Sequence, residues 1–231
     1  MKTTIVGLLF PLLLVSGFAQ DFNYSVHAKY IHPVTKDKLS SARSMGDIIP
    51  YYPASWISSY NSAEISTNSN GITATAKSSN DIFTEEQIKM LSSLDPGSEI
   101  VIDIDYQFED FVTNKTKTGN MHYPMTVIPD TEAQYSDGNE QLTQYFKVYA
   151  IDKISPEDAK DMQQVVVRFT VDEAGEIVNA NIFKSSGKPG IDKLLLEVIN
   201  GMPKWRPASD SHGNKVRQEF EFTLSDGSEG C

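Results

Sequence analysis

VVVRFTVDEAGEIVNANIFKSSG occupies residues 165–187. Its first seven residues are β-branched or apolar at almost every position, the composition of a strand. Asp172-Glu173-Ala174-Gly175 then supplies turn chemistry, with Gly175 as the residue that accepts a positive φ. Residues 176–184 return as the second arm of a hairpin. After a loop over residues 185–190, the apolar positions Ile191, Leu194, Leu195, Val198 and Ile199 take the spacing of one helix face. Pro203-Lys204-Trp205-Arg206-Pro207 follows. Two prolines hold this segment extended, so that Trp205 can enter the core as a large anchor. A last strand is predicted over residues 216–224, with Phe220 and Phe222 facing the core and Glu219 and Glu221 facing out.

Upstream, residues 139–150 predict a helix carrying Leu142, Tyr145, Phe146 and Tyr149 on one side. Ser155 and Pro156 open a short helix as N-cap and first helical residue. The order is helix, strand, strand, helix, strand. Together these elements resemble the TonB C-terminal domain, in the form common in Bacteroidetes-like sequences. The likeness begins near Tyr135-Ser136-Asp137-Gly138 and covers about ninety residues. Pro156 and Ala159 fit a Pro-x-x-Ala element, and Gly175, Pro203, Trp205 and Pro207 fit the structural motif. The chain departs from the usual pattern at Ser155, where the family often has tyrosine, and at Ala208, where a glycine is common. Residues 217–224 also lack the family's proline near the end of the last strand.

The resemblance implies a three-stranded antiparallel sheet packed by helices. It also implies a function: capture of the TonB box, a short extended segment of an outer-membrane transporter, during energy-coupled transport, with motor-complex subunits as further partners. Capture of this kind works by strand addition, in which a sheet edge offers unpaired N–H and C=O groups to an extended peptide. By the same resemblance the edge is the last strand, with Val216, Arg217, Gln218, Glu219, Phe220 and Glu221 as the partner-binding residues. The alternative is an exported envelope adaptor that binds another protein without energy coupling. Neither reading is enzymatic, and no cofactor or metal is expected.

The first half has a different texture. Residues 63–67 and 72–76 flank Asn70-Gly71, the dipeptide best suited to a tight hairpin. Thr84-Glu85-Glu86-Gln87 is a capping box, followed by Ile88, Leu91 and Leu94 at helical spacing. Pro96-Gly97 stops that helix. Ile100, Ile102, Ile104, Tyr106 and Phe108 then alternate with polar or smaller residues in strict period two. A polar turn over residues 114–120 leads to a strand through Met121, Tyr123, Met125 and Val127, ended by Pro129. Pro50 and Pro53 argue against helix around Tyr51-Tyr52. The fold class is α+β. The expected division is a signal peptide over residues 1–19, a β-rich α+β domain over 20–131, the TonB-like domain over 132–225 and a polar tail over 226–231.

Lys2, the apolar residues 5–15 and the small residues Gly17 and Ala19 have the layout of a cleavable export signal. Cleavage before Gln20 implies a periplasmic or envelope location, with an inner-membrane anchor only if the segment is retained. The net charge of −11 disfavours nucleic acid and direct binding to anionic lipid. The single cysteine, Cys231, excludes an internal disulfide. Asp103, Asp105 and His122 could share one sheet face as paired carboxylates or a cation site, but a solvated strand face has the same pattern. His27 and His32 lack an indicated third ligand, and His212 falls in a polar turn.

Overall fold

Strict alternation from Ile100 onward places three isoleucines on one face of the longest hairpin in the molecule, and the first sheet is built around it. A computed structural model describes residues 22–69 and 71–227. The segment expected as an export signal, Asn70 and Cys231 lie outside the described residues.

In chain order the first half contains β1 (Phe22–Ala28), β2 (Pro33–Thr35), α1 (Lys36–Ser41), α2 (Met45–Ile48), a 3-10 turn (Ala54–Trp56), β3 (Ser59–Ser69), β4 (Ile72–Ser78), α3 (Glu85–Ser92), β5 (Glu99–Asp110) and β6 (Lys115–Ile128). Five of these strands form a sheet in the order β2-β6-β5-β3-β4. The β2–β6 pair is parallel and the other pairs are antiparallel. Ile100, Ile102 and Ile104 are fully buried, together with Ile65 of β3 and Leu39, Met45 and Leu91 of the three helices. The opposite face carries Asp103 and Asp105 in solvent-facing positions.

The predicted capping box of α3 is present. Gln87 N donates to Thr84 Oγ1 at 3.2 Å, and Thr84 N donates to Gln87 Oε1 at 3.0 Å. Gln87 does more than cap. It is completely buried, and its amide nitrogen donates to the carbonyls of Ala63 and Ala76 at 3.5 and 3.4 Å. It thereby ties α3 to two strands at once. The turn expected at 114–120 sits earlier. Asp110 accepts from the backbone of Val112 at 2.9 Å and β6 begins at Lys115, because the Asx-type turn closes the hairpin within four residues.

The second half contains β7 (Gln134–Tyr135), α4 (Asn139–Tyr149), a 3-10 turn (Ile151–Lys153), α5 (Pro156–Ala159), β8 (Val165–Val171), β9 (Ile177–Lys184), α6 (Pro189–Asn200), β10 (Trp205–Arg206), β11 (Ala208–Ser209), β12 (Lys215–Val216) and β13 (Gln218–Asp226). Ser155 Oγ accepts from Asp158 N at 3.1 Å and caps α5, with Pro156 in its first turn. The α+β architecture agrees with the reading of the sequence. A second, separate core contains Phe146 of α4, Leu195 and Ile199 of α6, Val165, Val167 and Phe169 of β8, and Phe220, Phe222 and Leu224 of β13. Phe146 stacks on Phe222 with ring centroids 4.3 Å apart.

Two features of this sheet were not expected. The last strand is split: Lys215–Val216 pairs with Ala208–Ser209, and the main strand starts only at Gln218. More consequential, the sheet has four strands in the order β1-β13-β8-β9. The expected division at 131/132 assigns β1 to the first domain, yet β1 pairs along its whole length with β13, from Phe22 opposite Asp226 to Ala28 opposite Phe220. The alternation Phe22, Tyr24, Val26, Ala28 is the reason. It gives β1 one apolar face, and that face packs on the second core.

Candidate functional site: the β13 edge

The site begins with the turn at Gly175. Its φ of 80° lies in the left-handed region, and a Cβ there would stand 2.1 Å from the carbonyl oxygen of Trp205. Only glycine admits that approach without displacing backbone. The same turn accepts a hydrogen bond from Trp205 N at 2.8 Å through the Gly175 carbonyl. Two elements thirty residues apart in the motif are therefore one hydrogen-bonded unit. Trp205 is buried and meets Tyr135 edge-on at 5.7 Å, Phe169 at 6.0 Å and Phe220 at 5.0 Å. Pro203 is exposed and Pro207 half-buried, and they flank the short β10 that pairs with β7.

Trp205 thus supports β13 from below, through Phe220. On β13 the predicted alternation holds: Gln218, Phe220, Phe222 and Leu224 are buried, while Glu219 is exposed and Glu221 half-buried. Gln218 was expected as an edge contact. It instead turns inward, where its Oε1 accepts from Ala133 N at 2.7 Å. The charged residues are each paired. Arg217 reaches Glu173 at 3.1 Å, Glu219 meets Lys29 at 2.8 Å, and Glu221 accepts from Arg168 Nε at 2.7 Å. A hydrogen bond from its own backbone, together with the Arg217 guanidinium, holds the Glu173 carboxyl below the usual range. Arg168 also lies over the ring of Phe183, 3.2 Å from its centroid, on the outer strand β9.

The stretch expected as an open edge, Val216, Arg217, Gln218, Glu219, Phe220 and Glu221, is paired within the chain in this structure. Val216 belongs to the small β11–β12 ladder, and Gln218 onward lies between β8 and β1. Lys29 N donates to Glu219 O at 2.9 Å. In an antiparallel ladder this parity puts the backbone groups of Glu219, Glu221, Thr223 and Ser225 toward β1. The chain's own first described strand satisfies the hydrogen-bonding groups that were expected to be open. β1 was missed in the sequence because it is far from its partner, although its period-two pattern is visible once sought.

Residues 156–225 match the family model described as Gram-negative bacterial TonB protein C-terminal. This segment is similar to TonB C-terminal domains. No curated protein matches the chain, and no solved structure does. The match begins at the first residue of α5 and ends inside β13. The family this segment resembles is a non-catalytic one of transport and energy coupling. Neither β1 nor the five-stranded sheet falls within the matched residues.

The polar residues considered for cation chemistry are distributed differently. His122 and Asp103 pair across β5 and β6 with Nδ1···Oδ1 at 2.7 Å, while Asp105 is held by Asn120 Nδ2 at 2.9 Å. Among the described residues no three histidine, cysteine or acidic side chains are grouped for a metal ion. His32 stacks on Tyr123 at 4.3 Å, whereas His27 faces Glu221 at 3.8 Å on the other sheet. His212 sits in the Asp210 turn. No helix among the described residues is long and apolar enough to cross a membrane.

Proposed function

We propose that this protein is a TonB-like envelope protein, of the form common in Bacteroidetes-like sequences. In this reading it recognises extended segments of outer-membrane transporters by strand addition at β13 and takes part in energy-coupled transport. The observation that carries the proposal is the family match over residues 156–225, which coincides with a hairpin, a helix and a last strand anchored by Trp205. A recognition strand suits strand addition because its backbone provides most of the binding, and flanking charges provide selectivity. Glu219 and Glu221 favour a segment with cationic residues beside them. Residues 132–225 form the recognition domain in this reading. The five-stranded sheet within residues 20–131 is a separate unit carried with it. Motor-complex subunits are the further partners.

The adaptor reading without energy coupling keeps one observation in its favour. β13 is already covered by a strand of the same chain, so capture is not the resting state of the sheet. Titrating isotope-labelled full-length protein with peptides from the N-terminal extended segments of the host's transporters separates binding from its absence. Backbone resonances of residues 216–224 shift if the site is correct. Shifts confined to the five-stranded sheet would remove the assignment. Cross-linking to transporters that persists unchanged after collapse of the proton gradient would favour the adaptor.

A further inference from the structure

β1 differs from β8, the other neighbour of β13. The inward side chains of β8, on the other side, are sealed: Val165, Val167 and Phe169 are at most 1% exposed. The four inward side chains of β1, Phe22, Tyr24, Val26 and Ala28, are all half-buried. β1 lies roughly two hundred residues from its partner in sequence and is bound to the sheet along one side only. On its other side, clefts separate it from α4. One of about 320 Å³ is bounded by Val26, Ala28, Leu142, Trp205 and Phe220. Tyr24 Oη bridges this gap, donating to Thr143 O at 3.2 Å. β1 therefore has the register of a sheet strand and the seating of a docked peptide.

We propose that β1 holds the place of a partner strand and is exchanged for it, and that its sequence states what the partner looks like. The partner is an extended segment of about seven residues, antiparallel to β13. It carries large apolar side chains at alternate positions over Phe220, Phe222 and Leu224, and a cationic residue at its C-terminal end beside Glu219. Lys29 fills that last role in the chain itself. The small side chain of Ala28 leaves the cleft beneath it unfilled, so a partner with a larger aliphatic residue there displaces β1. The inference rests on the reading of β13 as the recognition strand, and it adds the regulation and the ligand chemistry of that strand.

Ser25 and Thr223 stand directly opposite in the β1–β13 register. Full-length protein carrying Ser25→Cys, Thr223→Cys and Cys231→Ser can therefore be locked by oxidation and released by reductant. The probe is a fluorescein-labelled peptide of residues 22–29, followed by polarisation. The reduced protein binds the peptide, oxidation weakens binding by roughly tenfold or more, and reductant restores it. The Ala28→Leu version of the peptide binds about fivefold tighter than the parent, from added apolar burial in the cleft. Equal binding by both redox forms overturns the exchange, because the peptide then adds elsewhere. No binding by the reduced form overturns it too. If the cysteine pair disturbs folding, full-length Val26→Ser protein serves instead, with β1 weakened and the peptide bound more tightly than by wild type; unchanged binding counts against exchange. Transporter peptides are run in parallel. β1-peptide exchange without transporter-peptide binding supports the exchange and removes the transporter reading. Transporter peptides that bind locked and released protein alike keep that reading and overturn the exchange.

Discussion

The two sheets solve the same problem by opposite means. The five-stranded sheet is dominated by near neighbours in sequence: β3 with β4 through a tight hairpin, and β5 with β6 through a turn capped by Asp110. Gln87 adds a polar tie from a helix to two of its strands. The four-stranded sheet has one local hairpin, β8–β9, and depends otherwise on strands gathered from the far ends of the described chain. Its centre is an aromatic cluster around Trp205, not a polar clamp. Local pairing gives a sheet whose pieces support themselves. Distant pairing gives one whose outermost strand can be gained or lost, which suits a surface built to exchange strands.

If the two cores are energetically separate, damage to one leaves the other standing. Trp205→Ala removes the largest side chain of the second core and should cost about 3–5 kcal/mol. Denaturant unfolding followed by hydrogen exchange should show loss of protection in β8, β9 and β13 with β5 and β6 unchanged. Equal loss in both sheets would mean a single cooperative unit and would break the comparison.

The reciprocal change is Gln87→Leu. It leaves the carbonyls of Ala63 and Ala76 without their side-chain donor, at a cost of roughly 2 kcal/mol confined to the five-stranded sheet. A stability change below about 0.5 kcal/mol in the same denaturation assay would show that the clamp is dispensable.

The smallest effect concerns acid. Burial raises the Asp192 carboxyl, but hydrogen bonds from Ser185 and Ser186 outweigh it, and the group titrates below its ordinary value of 3.8. A carboxyl depressed in the folded state contributes stability that is complete above the unfolded value and drains as pH falls through the folded one. Asp192→Asn should therefore cost about 1 kcal/mol at neutral pH, and the difference should close as pH falls below the ordinary carboxylate value and through the depressed one. A gap that stays constant across that range would assign the role of Asp192 to packing.

Much of this architecture was legible in the residues. The capping box at Thr84, the alternation from Ile100 and the hairpin ending in Gly175 each carry a local signal strong enough to fix an element. The TonB-type elements were readable for the same reason, because Gly175 and Trp205 answer to local geometry. What was not legible was partnership. Phe22, Tyr24, Val26 and Ala28 spell a strand, but nothing in a period-two pattern names the strand it pairs with. Gln218 has the look of an exposed edge residue, and only the backbone amide of Ala133 explains why it points inward. The break at Arg217 was hidden too, since the β11–β12 ladder that captures Val216 arises from a turn at Asp210, not from any helix or strand breaker.

The pairing of Phe22 with Asp226 also fixes an order of events during biosynthesis. At about 5–20 residues per second, the ribosome needs roughly ten to forty seconds between making β1 and completing β13. Throughout that interval the first strand has no ladder to join, while the β3–β4 and β5–β6 hairpins can form as they emerge. Closing so long a loop comes last and is slow for its contact order. The strand that marks the finished sheet is thus the one kept free until synthesis ends.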